Sequence, residues 1–163
     1  MLARKQMARG FTLVEILIVV VILGILAAIV IPQFTSASET AKSSSLSAQL
    51  QTIRSQLELY QVQHNGDYPA ADIDDGDASG EWTALTTETE IDGTAGDSSG
   101  NEFGPYLQQA PVNSFEQSST IAAAAAAGVG WIYVPADGSI TAVMPAAKAA
   151  ELSMDTTNDV TTY

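Results

Sequence analysis

The first feature along the chain is an apolar run. From Phe11 to Ile31 the order FTLVEILIVVVILGILAAIVI holds only two polar side chains, Thr12 and Glu15, in 21 residues. A helix of that length, rising about 1.5 Å per residue, spans roughly 30 Å, the thickness of a bilayer's hydrocarbon core. The pattern therefore predicts a membrane-competent helix over 11–31, on whose lipid-facing surface Val, Ile and the lone Gly24 are well placed. Pro32 has no amide hydrogen and clashes with the carbonyl four residues back, so it predicts a kink or an end. The residues beyond argue for a kink. Leu46, Leu50, Ile53, Leu57 and Tyr60 recur at spacings of 4, 3, 4 and 3, with Ser, Gln, Arg54 and Glu58 on the other faces. This is the narrow apolar stripe of an amphipathic helix over about 32–65. Its stop is His64-Asn65-Gly66, where Asn65 or Gly66 suits a left-handed cap. Two heptads are short for a self-standing coil, so the stripe is expected to pack inside the chain.

The period changes after the cap. Between Gly66 and Glu102 the residues are mostly Asp, Glu, Gly, Ser and Thr without a cation, which reads as a surface loop that Trp82, Leu85 and Ile91 pin to a core. Val129 to Val134 is β-branched and aromatic, Pro135-Ala136-Asp137-Gly138 is a turn, and Ser139 to Met144 alternates, which together predict an antiparallel hairpin. The alanines from Ala122 to Ala127 have high helix propensity yet precede a strand, and their state is left open. The expected fold is α+β: a long N-terminal helix, transmembrane over 11–31 and amphipathic over 32–65, packed on a small antiparallel sheet head within 66–163.

Charge sharpens this picture. The chain has 163 residues, a hydrophobic share of 46%, and a formal net charge of -13 from 19 acidic and 6 basic residues. So few cations exclude a nucleic-acid surface, which has to neutralise phosphates. Half of them, Arg4, Lys5 and Arg9, precede the apolar run, and by the positive-inside rule that end stays in the cytoplasm. A secretory signal peptide has a shorter apolar region and a small-x-small site before a polar start, whereas Ala27 and Ala28 lead into Ile29, Val30 and Ile31. A plain anchor gives no reason for Glu15, a carboxylate that costs a few kcal/mol in hydrocarbon and has no Lys or Arg within the span.

Gly10-Phe11-Thr12-Leu13-Val14-Glu15, after a short basic leader and before an apolar run ending at Pro32, resembles the prepilin signature of type IV pilins and of the pseudopilins of type II secretion. The resemblance implies a 1–10 leader removed by a prepilin peptidase between Gly10 and Phe11, and N-methylation of Phe11. It also implies assembly through the helix, with Glu15, Thr12, Gly24 and Pro32 as the candidate residues. The implied partners are that peptidase, further copies of the chain and other pilins or pseudopilins, an inner-membrane assembly platform and lipid. The implied location is the bacterial inner membrane, with the head outside the cytoplasm. The FGPYLQ, PVN and GWIYVPADGSI segments resemble the head of G-type major pseudopilins, although Ser114 stands where a Pro is expected beside Asn113. The chain also lacks the C-terminal cysteine pair of many adhesive pilins. A surface pilin and a membrane-anchored acidic binding module that does not assemble are the alternatives.

Enzymatic chemistry finds little support. There is no Cys, a single His64, no phosphate-loop string and no H-E-x-x-H pair, so no enzyme is expected. His64 reads as a helix-end residue beside the C-terminal dipole, since no second His or Cys joins it. Asp72, Asp74, Asp75 and Asp77, with Glu81, supply hard oxygens of the kind that hold Ca2+. Gly76, however, arrives one residue early for an EF-hand, so a solvated acidic loop outweighs a calcium site.

Overall fold

The computed structural model of the chain describes residues 10–70, 73, 82–96 and 102–163. Its elements are α1 (Leu13–Gln63), α2 (Thr83–Thr86), β1 (Ile121–Ala122), β2 (Trp131–Val134), β3 (Ser139–Met144), α3 (Ala146–Glu151) and β4 (Val160–Thr162). The chain divides into two compact units, 1–39 and 40–163.

Over 16–31, in the first unit, α1 is apolar on every side, and its large side chains are exposed, from 49% at Val19 to 64% at Ile31. The helix runs through Pro32. Just past the proline, Thr35 and Ser36 donate their hydroxyls back to the carbonyls of Ile31 and Pro32, each at 3.2 Å.

The second unit holds the hydrophobic core. Leu46, Leu50, Ile53, Leu57 and Tyr60 are all buried, so the period-3.6 stripe packs within the chain, against Trp82, Leu85, Trp131, Ile140 and Met144 among others. The helix stops as the sequence predicts: Asn65 (φ 56°) and Gly66 (φ 96°) both turn left-handed, and the Gly66 amide bonds back to the Gln61 carbonyl at 2.9 Å. Trp82 and Leu85 pin the region after the cap, but Ile91 is 47% exposed and does not. Residues 89–95 form a tight turn that leaves Ile91 on its outside.

The sheet order is β1-β2-β3-β4. The expected hairpin is present, with Trp131 opposite Ala142 and Val134 opposite Ser139. β1 and β4 instead pair in parallel with β2 and β3, so the sheet is mixed where an antiparallel one was expected. The reason is that β1 reaches β2 over the alanine segment and β4 reaches β3 through α3, crossovers that return the chain in the same direction. The alanines accordingly form no helix: Ala122 ends β1 and the rest make bends and a turn.

Two polar groups tie the head together. Asn113 is fully buried; its amide nitrogen donates to the carbonyls of Gly130 (2.9 Å) and Val143 (2.7 Å), and its Oδ1 accepts the Phe115 amide at 2.9 Å. The neighbouring Ser114, in place of the expected Pro, has a buried hydroxyl without a hydrogen-bond partner. Arg54 reaches from α1 to Asp159 Oδ1 (2.9 Å), to the Ile140 carbonyl (3.0 Å) and to the Asn158 carbonyl.

Asn113→Ala removes the donors to two buried carbonyls, of which Gly130 keeps the Val143 amide at 3.0 Å, and the acceptor of the Phe115 amide, and is expected to destabilise the head by about 2–4 kcal/mol, measured by denaturant unfolding in detergent. The tyrosines set an alkaline limit. Burial, reinforced by Tyr60, pushes the Tyr106 phenol up to about 12, and burial followed by Tyr60, Tyr68 and Asp137 raises Tyr133, whose hydroxyl donates to the Pro69 carbonyl at 3.0 Å. Folded-state values above the ordinary value near 10 mean that this stabilisation is complete below about pH 10 and lost as pH rises through the folded values. Absorbance titration of phenolate should show Tyr106 and Tyr133 ionising late, together with unfolding.

Candidate functional site

The sequence places its most specific signal where α1 begins. Gly10 and Phe11 lie just before the helix, Phe11 is 78% exposed, and a β-carbon on Gly10 would meet nothing within 4 Å. The peptide bond between them is thus sterically open.

Thr12 is the N-cap. Its carbonyl accepts the Ile16 amide at 3.4 Å, and its hydroxyl oxygen accepts the Glu15 amide at 3.2 Å. Glu15 reaches back, and its Oε2 accepts both the Thr12 amide (2.9 Å) and the Thr12 hydroxyl (2.8 Å). This is a reciprocal capping box, which satisfies two helix-end donors and puts a negative charge at the positive end of the helix dipole. Glu15 therefore has a partner inside the span, a neutral one. The T-x-x-E spacing of Thr12 and Glu15 carries that signal in the sequence.

The other candidates are dispersed. Gly24 has open space around its α-carbon and Pro32 lies inside α1. Arg4, Lys5 and Arg9 of the leader, and the calcium candidates Asp72, Asp74, Asp75 and Asp77 with Glu81, lie outside the described residues. Among the described residues no three His, Asp or Glu side chains gather as metal ligands. His64 is 1% exposed: Nδ1 faces the Tyr60 carbonyl at 2.8 Å, Nε2 faces Thr89 Oγ1 at 2.9 Å, and the ring stacks on Tyr60 at 3.6 Å. Both nitrogens are engaged, Nδ1 within α1 and Nε2 in fastening Thr89 to its end, so His64 is a packing residue.

Residues 5–31 match the family model for the prokaryotic N-terminal methylation motif. The chain is 44% identical over 67 residues to type II secretion system core protein G of Pseudomonas aeruginosa, a match covering 41% of this chain and 46% of that protein. It is 36% identical over 89 residues to the type IV narrow pilus major component of Thermus thermophilus, covering 52% of this chain and 77% of that protein. The chain belongs to the type IV pilin and pseudopilin family. A further pilin relative, the type IV wide pilus major component of Thermus thermophilus, is 41% identical over 58 residues, 36% of this chain and 44% of that protein. The chain spans about half the length of the type II secretion relatives it matches. No solved structure matches it.

For this pilin-family helix, Thr12→Val removes the capping hydroxyl while keeping shape. An N-cap loss of about 0.5–2 kcal/mol should speed hydrogen exchange of the Leu13 to Glu15 amides in detergent several-fold, with the 46–60 stripe unaffected.

Proposed function

We propose that this chain is a structural subunit of a type IV pilus-like filament, and that the filament is the pseudopilus of a type II secretion system. The observation that carries the reading is the prepilin motif, Gly10-Phe11 followed by Glu15, at the head of a helix whose apolar side chains are exposed on every side. Such a surface requires lipid before assembly and other helices after it. In this reading the chain waits in the inner membrane with its basic leader in the cytoplasm and its head outside. Prepilin peptidase cuts after Gly10 and methylates Phe11, and an assembly platform then extracts the subunit into a bundle of 11–31 helices. The role is mechanical and involves no catalytic step by this chain.

Glu15 is the assembly residue in this scheme. Cleavage creates a cation, the Phe11 amine, and in a staggered bundle the amine of one copy meets the carboxylate of another inside hydrocarbon, where an unpaired charge is strongly disfavoured. The capping box engages Oε2, and Oε1 remains to receive that amine. Gly24, without a side chain, permits close approach of a neighbouring helix.

A surface pilus is the second reading, favoured by the match that covers 77% of a type IV pilus major component. Electron microscopy of sheared filaments, combined with an assay of secreted proteins in a deletion strain, separates the two. Loss of secretion without loss of surface fibres is the pseudopilus outcome.

Two variants test the processing and assembly steps. Gly10→Val should accumulate precursor that still carries Arg4, Lys5 and Arg9, read by intact mass, and normal cleavage would count against the peptidase assignment. Glu15→Val should insert and be cut, with N-methylated Phe11 at the mature terminus, yet build no filaments when it is the sole copy. Filaments of ordinary length and number would remove the charge-pairing role.

A further inference from the structure

Cations are scarce outside the leader. Only Lys42, Arg54 and Lys148 follow it. Arg54 is paired with Asp159 at 2.9 Å and Lys148 with Glu151 at 3.0 Å. Lys42 is exposed on α1 and has no ion-pair partner among the described residues.

The 40–163 unit also contains a cleft of about 430 Å³, with Arg54, Glu58, Tyr68, Asp137, Ser139 and Asn158 in its lining. Arg54 is the cation of this lining and is already neutralised by Asp159. Glu58 and Asp137 are exposed carboxylates with no cation bonded to them among the described residues. Asp137 stays ionised well into acid, since the Ser139 amide donates to its Oδ1 at 3.0 Å and holds its carboxyl below the usual range. The Tyr68 ring is a fixed wall, packed so closely on Gly138 that a β-carbon there would lie 2.2 Å from a ring carbon. Two unneutralised carboxylates beside an aromatic face form a receptor for an ammonium group on an apolar stem.

We propose that Lys42 of one copy of the chain docks in this cleft of a second copy, its ammonium between Glu58 and Asp137 and its methylenes against Tyr68. Charge complementarity selects the occupant: the chain is strongly acidic, identical heads repel one another, and Lys42 is the unpaired cation among the described residues. Position on α1 supports it. Lys42 and Glu58 are sixteen residues apart on one helix, about 24 Å along the axis and about 160° around it. Donor and receptor thus sit on nearly opposite faces at different heights. A contact between them joins copies that point the same way with a constant shift, a heterologous contact that repeats without closing and so propagates a fibre. The proposal rests on the filament reading above and adds to it a head-to-head contact outside the membrane.

The chain has no cysteine, so Lys42→Cys and Glu58→Cys introduced together are its only thiols. Expressed as the full-length protein and treated with a short bismaleimide, this variant should yield a ladder of dimers, trimers and higher multimers from sheared filaments, with either single variant stopping at background. In parallel, Lys42→Glu and Glu58→Lys should each reduce filament yield by about fivefold, the equivalent of a surface ion pair at the strong end of its range. The double exchange should restore most of that yield. Circular dichroism in detergent identifies any variant that misfolds, and the crosslink then decides on its own. Filaments of the double-cysteine variant that give no ladder, or a ladder containing a different protein by mass spectrometry, overturn the docking and leave the filament reading standing. Absence of filaments from the wild-type chain itself removes the filament reading and the docking with it.

Discussion

Everything in this molecule depends on one continuous hydrogen-bonded helix that has to satisfy two solvents. Over 13–31 α1 meets the demand of hydrocarbon, where every backbone amide and carbonyl must be satisfied within the segment and every face must be apolar. Over 46–60 it meets the demand of water and buries one stripe only. The Ser- and Thr-rich stretch between these parts is polar on the outside and bonds its hydroxyls back to its own carbonyls, as Ser43 and Ser44 do to Thr40 at 2.9 and 3.0 Å. A helix can bridge two media in this way because its backbone bonds are internal, so only the side chains need to change.

The head follows from the stripe. Five apolar residues of α1 give the sheet a surface to pack on, and two tryptophans at right angles, Trp82 and Trp131 with rings 6.0 Å apart, fill the space between helix and strands. Each indole nitrogen finds a carbonyl, Ser119 at 2.7 Å and Pro111 at 3.0 Å, so their bulk is buried without a polar debt. The head can therefore carry a strongly acidic surface, because its cohesion comes from apolar area and paired polar groups.

Much of this was legible in the sequence. Length, period and capping residues located α1 and its end, since Leu46 to Tyr60 and Asn65-Gly66 act through local geometry. The hairpin was legible for the same reason. The directions of β1 and β4 were not, because strand pairing is settled by long crossovers and leaves no trace in period or composition. Ile91 misled through its apolar character, which a tight turn overrides. The prepilin motif stood out from Gly10, Phe11 and Glu15, while the capping bonds of Thr12 are carried by the T-x-x-E spacing, a local signal of another kind. Asn113 carries no sequence signal of its burial, since an Asn between turn residues reads equally well as a solvated loop.

The clamp made by Arg54 has a consequence for the order of events in the cell. Its partner Asp159 lies 105 residues further along the chain, and β4 beside it completes the sheet. Contacts of such long range form late, after the intervening chain is available. The apolar helix is synthesised first, while the residues that close the head are still to come. The head can thus close only once its last strand exists, and the order of the chain puts helix formation ahead of tertiary structure.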